Sequence, residues 1–420
     1  MLKKMVLMAL LSMSALAQAA DLAQIYQQAQ QQDPVFAAAK AARAVGQEKP
    51  VQGRALLLPT VGLSGQTQRA TTETDVAGSN SDRTIRSNAW SVSVSQPLFR
   101  LQNLAQARQG EQQGQLSEAQ FNSAQQDLIL RVAQAYFDVL LAQDKLAYIN
   151  AQRTAITEQL AQAKRNFEVG NATITDTHEA QARFDLNTAQ QSAAESDLEV
   201  KKRALEQIIG SPVSHLSAVH QQRLALQAPV PASVEAWLAL AETHNPQFQA
   251  QQAAVKIADL ALDQARAAHW PTVDAVASVG RNHQNAYWSN NVNLGALSAD
   301  SKTIGLQLNI PLYQGGALNS KVREALASQE KARQELEDTR RKITLQVRQA
   351  YLGVTTGVAQ VKALSQALVS SQSSLDSTKL GQEVGVRTNV DVLNAQQQYF
   401  SAKRDLAEAR YNYILSQLRL

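Results

Sequence analysis

The sequence predicts a mixed fold of long α-helices and transmembrane β-strands, written twice along one chain. Three observations predict it. Six of the ten prolines fall into pairs at nearly constant separation, Pro34 with Pro246, Pro59 with Pro271 and Pro97 with Pro311. Apolar residues recur at coiled-coil spacing over two long segments, and four short segments alternate apolar with small polar residues.

The duplication extends well beyond the prolines. Asp33-Pro34-Val35-Phe36 answers Asn245-Pro246-Gln247-Phe248 and Pro59-Thr60-Val61 answers Pro271-Thr272-Val273, both 212 residues apart (246 − 34 and 271 − 59). Gln134-Ala135-Tyr136 answers Gln349-Ala350-Tyr351, and Glu168-Val169-Gly170 answers Glu383-Val384-Gly385. Matches spread along both halves imply two similar units about a pseudo-symmetry axis. The first repeat is expected over residues 21–208 and the second over 233–420, joined by a breaker-rich linker, 209–232.

Residues 1–20 have a basic start (Lys3, Lys4), an apolar stretch from Met5 to Leu16 and small residues at Ala17-Gln18-Ala19-Ala20, the layout of a secretory signal peptide. The mature chain is therefore expected outside the cytoplasm. Each repeat then reads as helix, strand, loop, strand, very long helix, tight turn, long helix. In the first repeat the strands are expected at about 59–71 and 87–98 and the long helices at about 101–167 and 173–208. In the second the strands are expected at about 271–283 and 302–313 and the long helices at about 315–381 and 388–419.

The helices rest on a heptad seam. Leu128, Val132, Ala135, Val139, Ala142, Leu146, Ile149, Ile156 and Leu160 form it in the first half, interrupted only by Arg153. Ile343, Val347, Ala350, Val354, Gly357, Val361, Leu364, Leu368, Ser371 and Leu375 form it in the second. A seam this long imposes a left-handed coiled coil, and its small residues let helices approach closely.

The strands rest on alternation. Trp90, Val92 and Val94 oppose Ser91, Ser93 and Ser95, and Ile304, Leu306, Leu308 and Ile310 oppose Gly305, Gln307 and Asn309. Such segments suit a barrel with lipid outside and water inside, and taken alone they equally suit a soluble half-buried sheet. Aromatic residues at strand ends favour the barrel: Phe99, Trp270 and Tyr313 at one interface, Trp90, Tyr287 and Trp288 at the other. Polar loops are expected at about 72–86 and 282–301. Four strands leave bare edges that lipid cannot satisfy, so the barrel must be shared between subunits.

Composition excludes several chemistries. The chain has no cysteine, which removes disulfides, thiolate nucleophiles, Cys-ligated metals and a lipidated N-terminal cysteine. Without Lys3 and Lys4 the formal charge falls from +4 to +2 (38 basic against 36 acidic residues), no footprint for nucleic acid. Six scattered histidines have no metal spacing, and no nucleophile elbow, phosphate loop or zinc motif occurs. No enzyme activity and no cofactor are expected.

The chain resembles the TolC family of outer-membrane efflux proteins over essentially its whole mature length. The residues carrying the resemblance are Phe167-Glu168-Val169-Gly170, Thr173, Thr175-Asp176, the run from Val384 to Ala395, and Ala409-Arg410-Tyr411-Asn412-Tyr413. The resemblance implies a homotrimer in which each protomer gives four strands to one 12-stranded barrel, continued through the periplasm as a hollow α-helical coiled-coil barrel. It implies an exit duct in the outer membrane of a Gram-negative bacterium, exporting a polypeptide or small toxic molecules. The implied partners are a periplasmic adaptor (membrane fusion) protein and an inner-membrane ABC or proton-driven transporter.

The resemblance also implies sites. The turns carrying Gly170, Thr173, Gly385 and Thr388 form the adaptor-docking tip, and Thr175, Asp176, Arg387 and Asp391 form a periplasmic gate, with Asp391 making a threefold acidic ring. Asn394 stands where the family has a second acidic ring and Gln382 where it has a gate tyrosine. Read from the residues alone, Gly and Thr end and cap helices here, and both aspartates sit in first helical turns favoured by the helix dipole. A soluble periplasmic coiled-coil adaptor or scaffold is the alternative reading. It accounts for the heptads and the export signal but not for the four strands.

Overall fold

The computed structural model describes residues 20–76, 79–213, 215–219, 225–289 and 292–420, so the expected signal peptide lies outside them apart from Ala20. In chain order the elements are α1 (Leu22–Gln32), α2 (Pro34–Ala55), β1 (Thr60–Val76), β2 (Ser79–Phe99), α3 (Leu101–Glu168) and α4 (Ile174–Ile209). The second half follows with α5 (Val234–His244), α6 (Pro246–Ala267), β3 (Thr272–Gln284), β4 (Trp288–Ser289), β5 (Val292–Asn293), β6 (Leu297–Asn309), α7 (Ala317–Glu383) and α8 (Asn389–Arg419). Among the described residues no helix is long and apolar enough to cross a membrane.

Where one helix was expected ahead of each strand pair, two occur. Pro34 and Pro246 open α2 and α6, where a residue without an N–H loses nothing, and Asp33 and Asn245 end the helices before them. Asp33 is almost fully buried, and its Oδ2 accepts from the Phe36 N–H (3.0 Å) and from Arg131 (2.7 Å). One carboxylate thus caps α2 and ties it to α3.

Two compact units form, and they cut across the repeats. One contains the described residues up to Lys40 with 122–245 and 341–420, the other 41–121 with 246–340. The first holds most of the long-helix packing. Leu128, Val132, Val139, Ala142, Ile156 and Leu160 are buried along α3, as are Ile343, Ala350, Val354, Val361 and Leu375 along α7. Ile156, Leu160 and Ala163 pack with Ala180 and Phe184 of α4 and Leu393 of α8, while Val354 and Val361 pack on Leu406, Ala409 and Tyr413 of α8. Each fully buried Leu, Ile or Val contributes about 1.5–3 kcal/mol.

The second unit holds the sheet, antiparallel in the order β1-β2-β3-β6, so β2 of the first repeat pairs with β3 of the second. The first hairpin extends further than expected: β1 runs to Val76 and β2 starts at Ser79, where a loop was expected over 72–86. Residues there are polar on both faces, so alternation fades while backbone pairing continues unaffected. Over 282–301 the expected loop shrinks to a short segment carrying the β4–β5 pair, as β3 reaches Gln284 and β6 begins at Leu297. At its other end β6 stops at Asn309 instead of 313, because Pro311 has no N–H for a ladder.

Candidate functional site

Two features of the described chain have no role in packing: the sheet's apolar face and the two tight turns between paired long helices. Cross-strand partners show how the face is built. Val61, Val94, Ala277 and Ile304 lie in one row, and Leu63, Val92, Val279 and Lys302 in the next. Intervening residues form rows on the opposite face, such as Gly62, Ser93, Ser278 and Thr303. Leu63 is 77% exposed, Ile304 89% and Leu306 72%, while Val92, Val94 and Ala277 of the central strands are partly covered. An apolar surface this exposed along both outer strands of a sheet marks contact with something other than water.

Of the aromatic residues expected at the strand ends, Trp90 lies one row beyond Leu63–Val92, toward the hairpin turn. Phe99, Trp270 and Tyr313 lie at the other end, next to the helices, and all four are exposed. Within the chain β1 and β6 each have one neighbour in the sheet. Arg100, just after β2, makes a two-pronged ion pair with Asp274 on the polar face (2.7 and 2.5 Å). That pair holds the helix entry against the strand ladder where it slips at Pro97/Phe99.

The two turns share one construction. Gly170 and Gly385 adopt φ of +78° and +80°, conformations that only glycine takes freely. Gly170 N–H donates to Phe167 O and Asn171 N–H to Asn166 O; Gly385 N–H donates to Gln382 O and Val386 N–H to Gly381 O. These paired bonds satisfy the last carbonyls of α3 and α7. Three residues after the glycines Thr173 and Thr388 cap α4 and α8 in reciprocal boxes. Asp176 N–H donates to Thr173 Oγ1 (3.3 Å) while Asp176 Oδ2 accepts from Thr173 N (2.9 Å), and Asp391 with Thr388 does the same at 3.2 and 2.9 Å. The Thr388 backbone N–H, then its hydroxyl, hold the Asp391 carboxyl below the usual aspartate range. Val169, Ile174, Val384 and Val386 stand exposed around the turns.

Of the four expected gate residues, Asp176 and Arg387 line one cleft, of about 300 Å³, with Gln162, Asn166, Gln382 and Asn389. Thr175 is exposed on the first turn of α4 and Asp391 is half-buried on the first turn of α8, and neither lines that cleft. Gln382 donates to Asn389, and Asn394 accepts from Arg183 of α4, which also donates to Gln397. Arg183 had no sequence signal, because one base on a polar helix face looks like any other. Missed likewise were Tyr136 and Tyr351, equivalent in the two repeats. Tyr136 donates to Ser217 O (2.7 Å) and Tyr351 to Ala232 O, so both hold the linker. Burial pushes the Tyr136 phenol up to about 12, aided by Asp21, so it stays a donor at any physiological pH.

A family model described as outer membrane efflux protein matches residues 25–211 and again 237–420. The chain is 34% identical over 412 residues to outer membrane protein TolC of Escherichia coli, covering 97% of this chain and 82% of that one. It is 34% identical to alkaline protease secretion protein AprF of Pseudomonas aeruginosa, covering 94% and 82%. Its fold matches the crystal structure of outer membrane protein VceC from Vibrio cholerae with a TM-score of 0.80 at 17% identity, over 95% of this chain and 94% of that one.

Proposed function

The chain belongs to the outer membrane efflux protein family, and we propose that three copies of it build one exit duct. It is an outer-membrane channel serving secretion or efflux, it performs no chemistry, and it works with partner proteins. The carrying observation is the sheet, apolar and exposed on one face, small and polar on the other, with an open ladder at each edge. Lipid tolerates that face but not those edges, so neighbours must pair with β1 and β6. Three protomers with four strands each make a 12-stranded barrel. A soluble adaptor would leave the whole apolar face in water.

Within this reading the repeats at 21–208 and 233–420 place similar helix pairs around the duct, an arrangement supported by the double match of the family model. The helices extend the channel into the periplasm. The turns at Gly170–Thr173 and Gly385–Thr388 form its tip, where exposed valines meet a periplasmic adaptor, and an inner-membrane ABC or proton-driven pump loads it. Thr175, Asp176, Arg387 and Asp391 form the gate. Trp90 at one level and Phe99, Trp270 and Tyr313 at the other mark the edges of the bilayer. The test is reconstitution: purified protein added to one side of a planar bilayer should give discrete conductance steps. Protein that stays in the soluble fraction and never conducts overturns the reading.

A further inference from the structure

We propose that the membrane-facing side of the sheet carries a binding site for the phosphorylated headgroup of an outer-leaflet glycolipid. The inference rests on the lipid-facing reading of the apolar face. Followed toward the hairpin turn, that face changes in steps. The row with Lys302 is otherwise apolar, the next places Trp90 opposite Arg281, and two rows further Arg69 lies directly opposite Arg86. At about 3.3 Å per residue the arginine pair stands roughly 13 Å beyond Trp90. Trp90 marks the depth where tails give way to headgroups, so the pair projects among the headgroups.

Like charges directly opposite on one face destabilise a sheet unless something compensates them. Arg281 already has its partner, since Asp300 accepts from Nε (2.5 Å) and Nη2 (2.9 Å). Arg69, Arg86 and Lys302 have no acidic partner among the described residues. The other acids of this face, Glu73, Asp75 and Asp82, lie two to three rows past the arginines, with Glu73 opposite Asp82, and 285–296 contains no acidic residue. Three uncompensated cations thus span the depth from tail to headgroup, with Lys302 able to reach outward from its apolar row. The matching ligand is anionic, multivalent and anchored in the same leaflet. A glycolipid bearing phosphates on its sugar backbone fits that description, and a zwitterionic phospholipid does not. The hairpin end faces the outer leaflet because the long helices leave the opposite end of the sheet.

The experiment uses the assembled protein in nanodiscs of phosphatidylcholine, titrated with bis-phosphorylated lipid A, with the same glycolipid after removal of both phosphates, and with inorganic phosphate. Bound glycolipid is read by native mass spectrometry. Wild type should retain the phosphorylated form preferentially. Each interfacial cation contributes roughly fivefold, so Arg69→Gln with Arg86→Gln should weaken retention roughly 25-fold. Arg69→Lys with Arg86→Lys should stay within a few-fold, and binding of the dephosphorylated form should not change. Equal retention of both glycolipids by wild type, a comparison that needs no variant, overturns the proposal. So does undiminished retention by the neutral pair, or displacement by millimolar inorganic phosphate, which would indicate a site for the free ion. Failure of the protein to enter nanodiscs would instead remove the lipid-facing reading beneath it.

Discussion

Asp391 caps a helix, and the proposed gate gives the same carboxylate a second role. Its place in the box with Thr388 is local chemistry, legible from Thr-x-x-Asp after a glycine, and it lowers the carboxyl below its usual range. The charge therefore persists below the usual aspartate range near pH 4. If three copies ring the tunnel mouth, Asp391→Asn should abolish most of the channel's cation preference in planar-bilayer recordings, because Asn394 leaves no second ring. Wild type should keep that preference from neutral pH down to about pH 4. Unchanged selectivity in the variant would leave Asp391 with only its capping role. Asp33 was not legible in this way, since Arg131 lies 98 positions away. Burial opposes its charge, yet the Arg131 hydrogen bond and the Phe36 N–H outweigh burial and hold the carboxyl low. A lowered folded-state value stabilises the fold above the unfolded value and is lost as pH falls through the folded one. Arg131→Ala should cost about 2 kcal/mol in denaturant unfolding at pH 7. That loss should shrink as pH falls below about 4 and on through the lowered folded-state value, where the wild-type carboxyl takes up its proton; equal stabilities at pH 7 would refute the account.

At the scale of the element, each turn between long helices is a rigid, self-satisfied unit. Gly385 at φ +80° cannot become proline, whose ring fixes φ near −65°. Gly385→Pro should therefore disrupt the tip and abolish export while assembled protein still reaches the outer membrane, measured by export assay alongside immunoblots of membrane fractions. Loss of assembly as well would mean the turn serves folding. A different constraint acts between α2 and α3, where a Cβ on Gly110 would come within 2.5 Å of Lys49 O. Gly110→Val should separate those helices and destabilise the protein by roughly 1–3 kcal/mol, seen as an earlier unfolding midpoint. Sequence located both turns because a helix end is written in a few adjacent residues. It shortened the first hairpin because polar residues on both faces carry no alternation to read.

For the whole molecule the two outer strands of the sheet govern assembly. Every described β1 or β6 residue has a ladder partner on one side only, and in lipid the other side must be filled by another chain. Detergent-extracted protein weighed by native mass spectrometry should show three chains, and a dominant monomer would defeat the shared barrel. The trimer should also resist mild detergent exchange, since separating protomers breaks whole ladders rather than isolated contacts.

What the sequence determined by itself was everything with a local period or a local stop: the duplication, the heptad seams, the alternating strands, the glycine turns and the caps. Each is written in neighbouring residues, because helix and strand periodicities and cap chemistry act over a few positions. Tertiary structure alone decided which distant groups meet. It paired β2 with β3 across the two repeats, brought Arg131 to Asp33 and Arg183 to Asn394, set Tyr136 and Tyr351 on the linker, and aligned Arg69 with Arg86. Those meetings depend on strand register and helix packing, which are properties of the assembled backbone, so no spacing along the chain encodes them.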